Sequence, residues 1–576
     1  MAQAGDQIRQ TEARKTVQVH LADGRVFEAD RGTRLVAFFK AAYPNREDVP
    51  VAGIAQGELR ELAWPVEGDV EVTPIFLSES DGMRIYTRSL SFLLIVATYE
   101  LFPDARLYVD YSVPYGGYFC RVEGRAAFSA EELGRIKEHM RKMVAQDLPI
   151  VRHRVSAAEA EAVFSARGED DKLHLLEDVG DDHIHLYSLK GFLDYFYGYM
   201  VPSTGVLRHF TLELFAGGFI LRFPRREAPT KLLPSQRFTG LREVFSEYGK
   251  WLDVVGVRDV SSLNEAIRTQ RMEGVVLVSE ALHEQRIAEI AGALAERYDA
   301  THRLVFIAGP SSSGKTTFSR RLAVQLIANE LHPYPLGMDD YFRPRSELSP
   351  DGKPIDFDSL EALDTEFFER QLHALLDGEE VTLPHYNFHT GEREDGATVK
   401  LDPNQIIIVE GIHGLNPQII KGFPRHGAYR IFISALTQLN LDSHNRIPTT
   451  DTRLIRRIAR DAVFRGYTAQ TTLSMWDNVR QGEKQNIFPY QEHADVMFNS
   501  ALVYELAVLK PLVQPLLLQV KETRARIEAE RLLAFLSWFD PYPCDTIPRN
   551  SILREFVGGS ALREFIPKFV PRRRRG

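Results

Sequence analysis

Cysteine is almost missing from this sequence: its 576 residues hold two, Cys120 and Cys544, far apart and outside any C-x-x-C pair. That excludes a disulfide framework and a thiolate zinc site, and it fits a reducing, cytoplasmic compartment. Long apolar runs are missing as well. The opening MAQAGDQIRQTEARK lacks the apolar core of a signal peptide, and no stretch has the length and apolarity of a membrane span. Excess positive charge is missing too. A net charge of −9 speaks against a general nucleic-acid binder. The basic run at 572–575 reads as a solvated, mobile end. What is present, 44% hydrophobic and 26% charged residues, is ordinary for a globular chain. Its length suggests about three or four domains.

The most informative stretch is LVFIAGPSSSGKTTFSR at 304–320. An apolar strand pattern stops at Gly309, and a helical pattern with Phe318, Leu322 and Leu326 follows. Between them Gly309, Gly314, Lys315 and Thr316 fit G-x-x-x-x-G-K-[ST], in the strand–loop–helix setting a P-loop requires. Glycines let backbone N–H groups approach an anion, and the helix N-terminus adds its partial positive charge. The nucleotide would lie on Gly309, Pro310, Ser311, Ser312, Ser313, Gly314, Lys315, Thr316 and Thr317. Lys315 can reach the outer phosphates of ATP, and the Thr316 hydroxyl can ligate Mg²⁺.

Upstream, residues 15–75 read as a small β-rich unit. Val17, Val19 and Leu21 alternate with polar residues, Asp23-Gly24 marks a turn, and Val26 and Phe27 open a second strand. A short helix is expected over 33–43, with Val70 and Val72 in a closing strand. The unit resembles a TGS domain. Residues 76–230 carry T-R-S-L-S-F-L-L, YVDYSV and YGYMVPSTGVLRHFTLELF in an order that resembles the editing-type domain of threonyl-tRNA synthetases. That family rings its pocket with H-x-x-x-H and C-x-x-x-H pairs. Here those positions fall on Arg88 and Phe92, and on Phe196 and Met200, so the resemblance implies that editing chemistry is gone, leaving a scaffold, a dimerisation surface or a sensor domain. His183 and His185, beside Asp181 and Asp182, have no matching partner set and read as polar strand or loop residues. Residues 231–300 form a connector with helical spacing at 241–252 and 280–298.

After the P-loop helix, a short strand leads into Asp339-Asp340-Tyr341-Phe342. A carboxylate at a strand end faces the ligand crevice of an α/β sheet and can take the proton of an attacking hydroxyl. A second apolar strand, 406–409, closes on Glu410, which fits a Mg²⁺-holding carboxylate. Further on, Arg453, Arg456, Arg457 and Arg460 share one helical face. With no carboxylate on that stripe, and Asp451 and Asp461 just outside it, a phosphate-binding face is expected.

The order P-loop, D-D-Y-F, F-D-x-x-x-A-L-D, L-P-x-Y-x-F, V-E-G-I and T-R-L-x-R-R-x-x-R-D over 300–515 resembles the uridine kinase and phosphoribulokinase family, with uridine/cytidine kinases closest. The resemblance implies an α/β P-loop NTPase fold, with helices on both faces of a parallel sheet. It also implies ATP, Mg²⁺, a nucleoside substrate and a tendency to homo-oligomers. Asp339 matches the general base, Asp358 the carboxylate on the ribose hydroxyls, Tyr386 an aromatic against the base, and Glu410 the Mg²⁺-linked carboxylate. Arg457 matches an arginine near the ribose and Arg465 one in the lid; Tyr341 and Arg393 join the substrate side. Tyr467 stands where the lid has its second arginine. Gly391 stands at the offset of the base-reading histidine, with His385 and His389 nearby. Residues 442–450 are an insertion relative to short uridine kinases. The pairing with synthetase-like modules resembles long bacterial nucleoside kinases. Residues 516–576 read as helices and a basic tail. The acidic run 356–364 speaks against a phosphorylated substrate, and an RNA-associated NTPase using the front half remains the alternative.

Overall fold

The computed structural model describes residues 14–177, 183–236, 238–299, 302–348, 357, 359–387, 390–402, 405–423 and 427–563. They divide into two compact units: one runs to Ser235 and includes Ser443–Asn445, and the other comprises Gln236–Asp442 and the chain from Arg446 onward.

In the first unit a five-stranded sheet takes the order Val26–Asp30, Thr16–Leu21, Val70–Phe76, Pro50–Ala55, Glu58–Glu61. The expected hairpin forms around Asp23-Gly24, with the Gly24 N–H donating to Leu21 O. The strand Val70–Phe76 returns parallel to Thr16–Leu21, and the helix Leu35–Ala42 buries Leu35, Phe38 and Phe39 beside it. This is the small β-rich unit. The hairpin Pro50–Ala55/Glu58–Glu61 escaped the sequence reading because Pro50 and Gly53 break the strand pattern. Next comes the helix Ser80–Leu101, buried along most of its length. Its Ile85, Leu90 and Phe92 share one core with Val51 and Ile75 of the preceding sheet. A four-stranded and a three-stranded antiparallel sheet complete this part.

His183 and His185 lie at exposed, alternate positions of the strand His183–Leu189. Asp181 and Asp182 lie outside the described residues. The inserted tip Ser443–Asn445 is built into this unit: His444 Nδ1 lies 2.7 Å from Asp194 Oδ2, and Lys172 Nζ lies 2.7 Å from Asp194 Oδ1. All three side chains are buried, so each polar group needs its partner.

The second unit is organised by a parallel sheet. The wholly buried strand Leu304–Ala308 is central, flanked by Gln405–Glu410 and Ala428–Ser434; His332–Gly337 and Val496–Asn499 form the edges. Continuous apolar runs such as IIIV suit strands covered on both faces. The expected helical spacings upstream become Thr239–Val255 and Met272–Arg297, with Val260–Arg268 between them, and all three belong to this unit. The two C-terminal helices, Glu505–Leu517 and Thr523–Leu536, belong to it as well. The strands point their C-terminal ends the same way. Gly309, Asp339 and Glu410 therefore emerge on one edge, where α/β sheets bind ligands.

Candidate functional site: a P-loop cleft

The loop after the central strand is shaped by close approach. A Cβ on Gly309 would lie 2.0 Å from Ile433 O, so only glycine fits there. Ser312 takes φ 58° and Gly314 φ 86°, which fold the loop back before the helix Lys315–Ala328 starts. Lys315 Nζ donates to Pro310 O at 3.2 Å. Thr316 Oγ1 donates to Glu410 Oε2 at 3.1 Å, bringing the two expected Mg²⁺ residues together.

The arginine helix, Thr449–Phe464, braces this loop from behind. Arg453 Nε donates to Ser311 O at 3.0 Å, and Arg456 donates to Ser312 O at 3.4 Å and Ser500 O at 2.8 Å. The expectation that no carboxylate neutralises the stripe is corrected here. Arg453 pairs with Glu483 on the helix Ala469–Asn486, and Arg456 pairs with Glu505 on Glu505–Leu517. These partners stand 30 and 49 residues away along the chain, beyond the reach of helical periodicity. Arg453 and Arg456 are fully buried, so their charges require those partners. Glu483 also accepts from Ser311 N at 2.9 Å.

The outer part of the stripe is different. Asp461, itself buried, lies 3.3 Å from Arg457 Nε, 2.7 Å from Arg460 Nη2 and 3.7 Å from Arg465 Nη1. One carboxylate thus gathers three guanidiniums at the cleft, and Arg457 also donates to Ser311 Oγ at 2.8 Å. Desolvation and the neighbouring Arg460 and Arg457 pull the Arg465 pKa below its usual value. A cation crowded in this way favours an anionic ligand.

Asp339 and Asp340 separate in the tight turn Met338–Tyr341. Asp340 turns to the hairpin, accepting from Tyr386 N at 3.2 Å and lying 3.1 Å from His385 Nδ1. Asp339 is exposed to solvent, yet protein crowds its carboxyl from the sides. Lost hydration raises its pKa, and the positive charges of Lys315 and Arg465 oppose that rise. At Glu410, desolvation together with Asp339 and Glu555 outweighs Lys315 and Thr316, and the pKa is pushed up to about 7. His413, just after Glu410, is held neutral, its pKa lowered to about 4 by burial.

The expected substrate residues are placed otherwise. Tyr341 is wholly buried, its hydroxyl donating to Gln371 Oε1 at 3.0 Å. Tyr386 points inward from the strand Glu380–Asn387 and packs on Phe342 and Phe357, with ring centroids 5.7 and 6.1 Å away. Arg393 Nη1 pairs with Asp364 Oδ2 at 3.0 Å. Asp358 and His389 lie outside the described residues. Sequence reasoning missed Asp461 as an organiser, His413, Glu483 and Glu555. Of these, Asp461 closes the T-R-L-x-R-R-x-x-R-D motif and His413 follows Glu410 closely in the chain.

The residues present fit a nucleotide with Mg²⁺. Among the described residues, the buried Ser312 Oγ and Ser313 Oγ have no hydrogen-bond partner. Among the described residues no group of three or more His, Cys, Asp or Glu could hold a metal alone. The Thr316–Glu410 pair suits Mg²⁺, which takes its other oxygens from phosphate and water.

Residues 304–507 match the Phosphoribulokinase / Uridine kinase family. The N-terminal region matches threonine–tRNA ligases. That of Bacillus velezensis is 30% identical over 204 residues, covering 35% of this chain and 32% of the relative. That of Rubrobacter xylanophilus is 31% identical over 201 residues, covering 35% and 31%. The chain thus spans about a third of the length of the curated relatives it matches. A Bacillus stearothermophilus structure described as a possible uridine kinase is 20% identical with a TM-score of 0.26, covering 37% of this chain and 98% of its own.

Proposed function

We propose that this chain, whose residues 304–507 are a phosphoribulokinase/uridine kinase family region, transfers a phosphoryl group from ATP to the 5′-hydroxyl of a ribonucleoside, uridine or cytidine foremost. The products are the nucleoside monophosphate and ADP. The observation that supports this most is Asp339: a solvent-facing carboxylate whose pKa is raised by desolvation, with the charges of Lys315 and Arg465 acting on it.

ATP supplies the phosphoryl group, and Mg²⁺ offsets charge on its outer oxygens. The backbone at 309–317 and Lys315 hold the phosphates, with Thr316 and Glu410 on the metal side. Asp339 accepts the proton as the hydroxyl oxygen bonds to the terminal phosphorus and the bond to the bridging oxygen breaks. Arg457 and Arg465, poised by Asp461, offset the charge on the transferring group. Positioning and electrostatics carry such transfers. Asp358 takes the sugar hydroxyls. The packing of Tyr341 and Tyr386 and the Arg393–Asp364 pair shape the wall on the acceptor side.

No helix among the described residues is long and apolar enough to cross a membrane, and a cytoplasmic, homo-oligomeric enzyme is part of this reading. A kinase of another small hydroxylated metabolite, or an RNA-associated NTPase using the synthetase-like part, is the alternative. ADP release measured over a panel of nucleosides, other hydroxylated metabolites and tRNA tests them. Release that depends on uridine or cytidine is expected; release that answers to tRNA alone would overturn the proposal.

A further inference from the structure

The first N–H groups of the P-loop helix have no partner within the helix, and an anion can use them. One is already taken. Thr317 N donates to Glu555 Oε2 at 3.0 Å, across 238 residues of sequence. The segment bearing Glu555 is firmly built. Ser551, Ile552, Leu553 and Phe556 are fully buried. The Arg554 guanidinium donates to the carbonyl of Pro548 at 3.4 Å and also to that of Ile547. Phe556 lies under the Arg456 guanidinium, 4.9 Å from ring centroid to Cζ. Ile552 covers the loop so closely that a Cβ on Gly314 would lie 2.5 Å from its Cγ2.

Glu555 itself is only half-buried, on a flexible stem. Glu483 offers a contrast. It also accepts a P-loop N–H, but it is buried and locked to Arg453. Among the described residues no Lys or Arg pairs with Glu555. Its charge instead adds to the crowding of carboxylates around Glu410. A carboxylate held by a single donor of a phosphate cradle, and opposed by like charges, is a replaceable occupant.

We propose that Glu555 is an internal stand-in for a nucleotide phosphate. It occupies the Thr317 N–H in the nucleotide-free chain and must swing away when ATP or ADP binds, so the C-terminal segment sets nucleotide affinity. The apparent affinity is the intrinsic one reduced by the fraction of molecules with the N–H free. This rests on the P-loop being the nucleotide site.

The test is ADP binding to the full chain by calorimetry without Mg²⁺, in the wild type, Glu555→Gln and Glu555→Asp. Glu555→Gln keeps the shape and removes the charge. Glu555→Asp keeps the charge but shortens the stem, so it no longer reaches Thr317 N. Both are expected to tighten ADP about 10-fold, the scale of a hydrogen bond to a charged group. Unchanged or weaker binding in either variant would overturn the proposal. If ADP binds the wild type normally in that case, the nucleotide-site reading survives. If none of the three proteins binds ADP, both fail.

Discussion

Two regions of this molecule carry positions where related folds do chemistry, and they have gone opposite ways. In the synthetase-like region, Phe92 and Phe196 stand where the resemblance puts pocket ligands. Their rings meet at 5.3 Å, and both are buried with Met200. Arg88 donates to Tyr199 O at 2.7 Å and lies over the Tyr197 ring. Each of these four side chains thus has a partner or an apolar neighbour. In the P-loop cleft, carboxylates crowd together, three arginines share one aspartate, and two serine hydroxyls have no partner among the described residues. Buried polar groups without full partners cost stability, and they mark places kept for a ligand.

The contrast can be broken at both ends. The largest effect is expected in the cleft: Arg465→Ala should lower kcat by about 10³-fold with little change in ADP affinity, by steady-state kinetics and calorimetry. In the synthetase-like region, Phe92→Ala should cost about 3–5 kcal/mol of stability, read as a shift in urea midpoint. Its ADP affinity should stay unchanged. A large loss of nucleotide binding there would contradict the separation of roles.

The smallest effect concerns Glu410. Its carboxyl is raised to about 7 from an ordinary 4.5, so the folded chain holds its proton more tightly than the unfolded chain. The sign follows from linkage. This stabilising contribution is full below about 4.5 and is lost as pH rises through about 7. Wild-type stability without nucleotide should therefore fall across that window relative to Glu410→Gln, in paired urea titrations at several pH values. A parallel course for the two proteins would remove Glu410 from the strained cluster.

The sequence made contiguous features legible. The P-loop could be read because its residues sit within nine positions, and Glu410 because it ends an apolar strand. The TGS-like hairpin could be read from alternation around Asp23-Gly24. Features assembled from distant segments were not legible. Arg453 and Arg456 looked like free phosphate ligands because Glu483 and Glu505 sit on other helices. Glu555 carried no local sign at all, since only folding brings it to Thr317. The aromatic residues Tyr341 and Tyr386 were matched by motif, whereas the turn and the strand that carry them point both rings inward.

Asp339 is the proton acceptor on which the proposed transfer depends. In Asp339→Asn, ATP affinity measured by calorimetry should match the wild type, while nucleoside-dependent turnover falls by about 10²-fold or more. Near-normal turnover with intact binding would contradict it.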